Sequence, residues 1–192
     1  RNVTGVQTCA LPISNICKYL DIPLQHGSTR MLQLMRRGTT REKTEALLSD
    51  IRNKVPDIAI RTTFIVGHPG ETSADFKEML SFIERSRFER AGMFTYSHEE
   101  NTHAGTMTDD VSAALKKKRA DELMELQAGI SRELNETKVG RTFKVLIDRR
   151  EGGEYIGRTE HDSPEVDNEV IIQSAEHLRI GDFADVTIDA AA

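Results

Sequence analysis

The chain contains no tryptophan, 5% aromatic residues and two cysteines, Cys9 and Cys17, in 192 residues. Two thiols cannot build a disulfide framework or a four-thiolate metal site. They fit a reducing compartment, so a cytoplasmic location is expected. No apolar run approaches the roughly 20 residues of a membrane-spanning helix, and no secretory leader pattern is evident. Neither a disulfide-stapled scaffold nor a membrane-spanning helix is therefore expected. His98 and His103, five apart in a polar loop, are an isolated pair, and no metal site is assigned to them.

The composition is that of an ordinary globular protein, with 30% charged residues and a net charge of −5. The charge is unevenly placed. Residues 1–139 carry 20 basic and 19 acidic side chains, whereas residues 140–192 carry 6 basic and 12 acidic ones. Nucleic-acid affinity rests largely on Lys and Arg, so the acidic end suits a basic protein partner better than a phosphate backbone.

Residues 1–14 resemble the translation of a sequencing adapter and are set aside from fold reasoning, Cys9 with them. Native sequence is then expected from Asn15. From there, apolar segments at Lys18–Leu24, Ile58–Val66 and Ala91–Ser97 read as strands, each ending in polar or Gly-rich residues. Between them, Ser28 is placed to cap a short helix through Arg36. Thr39-Thr-Arg-Glu42 has the form of a capping box for a helix to about Lys54, and Thr72-Ser-Ala-Asp75 has that form for the next. A long helix is expected over Asp110–Thr137, packing through Leu115, Leu123, Met124, Leu126, Ile130 and Leu134. Lys116-Lys-Lys-Arg119 reads as a solvated face, with a nucleic-acid patch as the alternative. Strand–helix alternation of this kind gives α/β units whose strand C-termini face one site.

After Gly140 the pattern changes to short strands, Thr142–Asp148, Tyr155–Thr159, Glu169–Gln173 and Phe183–Ile188, punctuated by turns at Gly152-Gly153 and Gly181. That spacing suggests a small antiparallel barrel, with the domain boundary near Val139.

Strand alternation places Arg61 and Thr63 opposite Ile60, Phe64 and Val66, and Asp21 and Gln25 opposite Leu20, Ile22 and Leu24. Each strand thus has an oily face and a mixed one. The mixed faces line either a ligand cavity or an internal Arg61–Asp21 pair. The Gly67-His-Pro-Gly70-Glu71 turn ahead of a helix can bind an anion or nucleotide through its amides, or it is only a tight turn.

Asp21-Ile-Pro-Leu-Gln-His26, Met35-Arg-Arg-Gly38, Ile65-Val-Gly-His-Pro-Gly-Glu-Thr72 and Phe94-Thr-Tyr-Ser-His-Glu-Glu100, in this order, resemble the later part of the radical S-adenosylmethionine core of the methylthiotransferase family. His26 and His98-Glu-Glu100 resemble the branch that modifies an aspartate of a small-subunit ribosomal protein. tRNA-directed members usually show Gln-Ser-Gly and Ser-Pro-Arg at those places. Residues after Gly140, including Asp162-Ser-Pro-Glu-Val-Asp-Asn168, resemble a TRAM domain.

The resemblance implies the C-terminal half of a partial (β/α) barrel over residues 15–139, with strands four to six, followed by an OB-like TRAM β-barrel over 140–192. It implies S-adenosyl-L-methionine as cofactor, with Gln25 and Arg61 at its methionine part and Val66, Gly67, Phe94, Tyr96 and Ser97 near its adenine. Glu99 and Glu100 would stand at the cavity mouth, on the substrate side. The full-length parent would use two 4Fe–4S clusters, an electron donor and a ribosomal protein substrate. Neither a membrane nor nucleic acid is expected as a direct partner, the alternative being a tRNA-directed enzyme or an RNA-binding TRAM module. The family's Cys-x3-Cys-x2-Cys run is absent here. Thiolates hold such clusters, so this segment alone is expected to be inactive.

Overall fold

The computed structural model describes residues 16–191, so the expected adapter-derived stretch and Cys9 lie outside the described residues. The chain forms two compact units. One comprises Asp21–Pro56 and Ile60–Ser131; the other gathers the described residues through Leu20, Asp57–Ala59 and those from Arg132 onward.

The first unit is built on a sheet of three strands, β1 (Tyr19–Gln25), β2 (Ala59–Val66) and β3 (Arg90–Thr95), in the order β1–β2–β3. β2 and β3 run parallel, with Arg61 opposite Arg90 and Ile65 opposite Phe94. Its helices are α1 (Thr29–Leu34), α2 (Arg41–Lys54), α3 (Ser73–Ser86) and α4 (Ala113–Glu136). β-branched residues at alternate positions of β2 favour the strand. Ile60, Thr62, Phe64 and Val66 point into the helix-covered core and are fully buried. Phe64, Phe82 and Phe88 meet there at centroid distances of 5.8–6.2 Å, in edge-on or tilted pairs. Met31, Leu32, Met79, Ile83 and Leu123 complete the core. Each such side chain contributes about 1.5–3 kcal/mol by leaving water.

The helix starts follow local chemistry, with two differences from expectation. Thr72 and Asp75 form a reciprocal capping box on α3. On α2 the cap is Thr40, not Thr39: its hydroxyl accepts from the Lys43 amide at 3.3 Å. Ser28 precedes α1, but its hydroxyl donates to Asp75 at 2.9 Å instead of capping. A long-range carboxylate outcompetes the local amide.

The second unit carries β4 (Thr142–Glu151), β5 (Glu154–Arg158), β6 (Val170–Ile172) and β7 (Phe183–Thr187) as one antiparallel sheet in the order β6–β5–β4–β7. The antiparallel fold expected after Gly140 is thus present, with β6 and β7 as edges. Val145, Ile147, Tyr155 and Ile172 form its core, flanked by Phe143, Leu178 and Val186. A bulge between Ile147 and Arg149 bends β4. Gly157 on β5 lets the neighbouring strand approach: a Cβ there would lie 2.4 Å from the Leu146 carbonyl oxygen. Among the described residues, no helix is long and apolar enough to cross a membrane.

Candidate functional site

The mixed face of the three-stranded sheet is half open. Arg61, Thr63 and Ile65 alternate with the buried core residues of β2. The parallel register sets Arg61 beside Arg90, Thr63 beside Gly92 and Ile65 beside Phe94, all on that face. Asp21 joins from β1, its Oδ2 3.9 Å from Arg61 Nε. Phe94, 61% exposed, lies at the other end. Its ring passes over Gly92, where a Cβ would stand 3.5 Å from Cε2. The face therefore has a charged end and an aromatic end, about 13 Å apart at 3.3 Å per residue along the strand. That geometry suits an elongated ligand with a charged head and a flat ring.

The strand C-termini place the remaining candidates. Gln25 ends β1 in the left-handed region, φ 74, and its side-chain amide donates to the Pro23 carbonyl at 3.4 Å. A non-glycine residue in that conformation is held there by its surroundings. Val66 lies on the core side and is fully buried, so only its main chain can meet a ligand. The Tyr96 amide donates to the Val66 carbonyl at 2.8 Å, extending the ladder one residue past β3. The buried Tyr96 hydroxyl has no hydrogen-bond partner. Its pKa is raised, first by burial and then by the charges of Asp109 and Glu99. Ser97, Glu99 and Glu100 are exposed on the following loop, where the Glu99 carbonyl accepts from the Thr102 hydroxyl at 2.8 Å. Among the described residues, no group of three His, Cys, Asp or Glu is arranged to hold a metal ion.

The Gly67–Glu71 turn departs from the anion-binding expectation. Gly67 donates its amide to Glu71 Oε2 at 2.8 Å, and Gly70 donates its amide to Asp110 Oδ1 at 2.7 Å. The amide of Thr72, which caps the next helix, donates to Asp75. The protein's own carboxylates occupy these donors, so they are not open to a ligand phosphate. The turn is a rigid support, with Gly67 at φ +71.

Beneath it lies a buried polar cluster. Arg119 Nη1 donates to Glu71 Oε1 at 2.7 Å and to the Glu71 carbonyl at 3.3 Å. His26, fully buried, accepts from the Ser28 amide through Nδ1 at 2.9 Å. The ring proton therefore sits on Nε2, 3.5 Å from Glu71 Oε2. Lys116 Nζ donates to Asp109 at 2.5 Å and lies 4.9 Å from the centre of the Tyr96 ring. The Lys116 hydrogen bond holds Asp109 below the ordinary carboxylate range. His68 packs edge-on to Tyr96 at 5.4 Å, and burial lowers its pKa. Burial works against the charge on Asp75, but Arg30, Thr72 and Ser28 together hold its pKa well below the usual value.

Sequence reasoning assigned no role to Glu71, Lys116 or Arg119, and it placed the last two on a solvated face. Only Lys117 and Lys118 are exposed. The buried stripe of α4 is Lys116, Arg119, Leu123, Gln127 and Ile130, whereas Leu115 and Met124 face water. The helical spacing of Arg119 four residues and Lys116 seven residues before Leu123 was the available signal.

Comparison with known proteins gives two family matches: the Radical SAM superfamily over residues 10–83 and the TRAM domain over residues 139–192. Curated relatives called ribosomal protein uS12 methylthiotransferase RimO include that of Cytophaga hutchinsonii, 61% identical over 93% of this chain and 41% of its own length. Those of Christiangramia forsetii and Flavobacterium johnsoniae are 56% and 54% identical, over 92% and 90% of this chain and 40% of their own length. The chain thus spans about two fifths of these relatives. Among solved structures, Escherichia coli coproporphyrinogen III oxidase (HemN), a radical SAM enzyme, aligns with a TM-score of 0.51 at 20% identity, over 59% of this chain and 27% of that one. That likeness concerns the fold alone.

Proposed function

The chain belongs to the radical S-adenosylmethionine methylthiotransferase family, and we propose that it is the cofactor-positioning and TRAM portion of an enzyme that methylthiolates an aspartate of a small-subunit ribosomal protein. The observation that carries this reading is the identity of 61% over 93% of the chain with a relative named a ribosomal protein methylthiotransferase. The two-ended sheet face supports it.

The residues fit S-adenosylmethionine. Arg61 and Asp21 offer the charged end its zwitterionic amino-acid head needs. Phe94 and Tyr96 offer flat surface to the adenine, and the unpartnered Tyr96 hydroxyl awaits a polar group. Gln25 and Gly67 stand at the strand ends that bound the ligand, Gly67 with its amide held by Glu71. When bound, the sulfonium cofactor would supply the radical that removes hydrogen from an unactivated carbon; the protein supplies position and electrostatics. Within this chain, the Arg61–Asp21 pair orients the head, Phe94 excludes water from the ring, and Glu99 and Glu100 face a basic substrate across the loop.

The residues do not fit an iron–sulfur cluster. Clusters need several thiolates; the chain has Cys9 and Cys17 only, and Cys17 is exposed. No step through a cluster is assigned to this segment.

Joining this segment to the preceding part of the Cytophaga hutchinsonii relative tests the reading. Mass spectrometry of the ribosomal protein should show the gain of one methylthio group in place of hydrogen. Modified tRNA beside unmodified ribosomal protein would overturn the choice of substrate.

A further inference from the structure

We propose that Lys116 and Arg119 on α4 are positioning residues that hold the Gly67–Glu71 turn in the shape a ligand at the strand ends requires. This inference rests on the cofactor site proposed above. Its observations are independent of which substrate the enzyme modifies.

Buried positions on a helix that only needs to pack are ordinarily apolar, because an ion pair there gains little over a hydrophobic pair of the same volume. α4 keeps Leu123 and Ile130 on its buried stripe but places Lys116 and Arg119 at its start, both less than a tenth exposed. Their contacts converge on one turn. Arg119 binds both the carboxylate and the carbonyl of Glu71. That carboxylate in turn holds the Gly67 amide at 2.8 Å. The Lys116 stem lies against Gly67 so closely that a Cβ there would stand 2.2 Å from its Cγ. Its ammonium reaches Asp109 at 2.5 Å and the Tyr96 carbonyl at 3.5 Å. One residue after Asp109, Asp110 takes the Gly70 amide.

The start of α4 and the loop before it thus fix both ends of the turn and the first residues beyond β3. Gly67 and Tyr96, each one residue past the end of a parallel strand, are held in one frame. Local departures from the apolar pattern of this kind mark functional geometry. Positioning errors near 1 Å are enough to cost a large factor in binding or rate.

The test uses the full-length enzyme made by joining this segment to the preceding part of the Cytophaga hutchinsonii relative. Equilibrium dialysis measures S-adenosylmethionine binding per folded molecule, with the folded fraction read from near-ultraviolet circular dichroism. Lys116→Ala and Arg119→Gln should each raise Kd about tenfold or more. Arg119→Lys should recover part of the loss, and the Gly67 amide should exchange its hydrogen faster in both Arg119 variants. Should Arg119→Gln fail to fold, Lys116→Ala carries the test. Kd per folded molecule within twofold of the parent in Lys116→Ala would overturn the proposal. If the parent protein binds S-adenosylmethionine but leaves the ribosomal protein unmodified, the substrate reading fails and this inference stands on its binding data.

Discussion

Arg119 and Glu71 are 48 residues apart in sequence and 2.7 Å apart in the fold, with both side chains buried. Removing one partner strands a charge in the interior. Arg119→Met is expected to destabilise the first unit by about 3–5 kcal/mol. Adding Glu71→Gln to it should recover most of that loss, because the amide oxygen still accepts from Gly67 and no charge is left alone. Urea denaturation of the two variants measures the difference. Equal destabilisation of single and double variants would count against the pair as described.

The aromatic cluster makes a simpler prediction. Phe82 is 1% exposed and touches Phe64 and Phe88 edge-on or tilted. Phe82→Ala leaves a cavity between β2 and α3 and should cost about 3–5 kcal/mol. Phe82→Leu should cost less, because it refills part of the space. Thermal melting ranks the two.

How much of this was legible in the sequence depends on the distance over which each feature is decided. Period-2 alternation in β2 set Arg61 and Thr63 apart from Ile60, Phe64 and Val66, and the fold keeps that division. Capping chemistry at Thr72 and Asp75 is local and was readable. At Ser28 it failed because Asp75, 47 residues away, takes the hydroxyl. The filled Gly70 amide was illegible for the same reason, because Asp110 arrives from 40 residues away, and so was the hold on the Glu71 carboxylate, because Arg119 arrives from 48. Lys116 and Arg119 were misplaced because a run of four basic residues was read as one block. Helical spacing divides it into two buried and two exposed positions.

Asp75 governs the acid side of stability. It accepts from Arg30, Thr72 and Ser28, and its folded pKa lies below the ordinary value of 3.8. A carboxyl with a depressed folded pKa contributes fully above its unfolded pKa. The contribution is lost as pH falls from there through the folded value. Asp75→Asn should therefore lower stability at neutral pH and flatten the decline between about pH 5 and pH 2. Urea midpoints across that range check it. A variant whose midpoint falls with acid as steeply as the parent's would refute the assignment.

In the second unit, His161 gives a different pH signature. Its ring stands edge-on to Phe143 at a centroid distance of 6.2 Å, and burial lowers its pKa below 6.5. The folded unit disfavours the protonated ring. Its contribution is full above the unfolded pKa and is lost as pH falls toward the folded value. His161→Gln should remove this step, so that variant and parent converge in acid and diverge near neutrality. Hydrogen exchange at β4 and β5 amides, measured at pH 5 and pH 7.5, reads it.

Gly157 tests the tight strand approach in the same unit. A methyl group at this position would lie 2.4 Å from the Leu146 carbonyl oxygen and 2.6 Å from Val145 Cγ1, the second in the core. Backbone has little freedom to yield beside a bulge already recorded at Ile147–Arg149. Gly157→Ala is thus expected to cost about 1–3 kcal/mol by overpacking. The same substitution at Gly129, where nothing lies within 4 Å of the added carbon, should stabilise α4 by about 0.5–1 kcal/mol. Opposite signs at the two positions, read as shifts in the urea midpoint, separate close packing from glycine's backbone entropy. A neutral Gly157→Ala would mean that β4 and β5 can separate without loss.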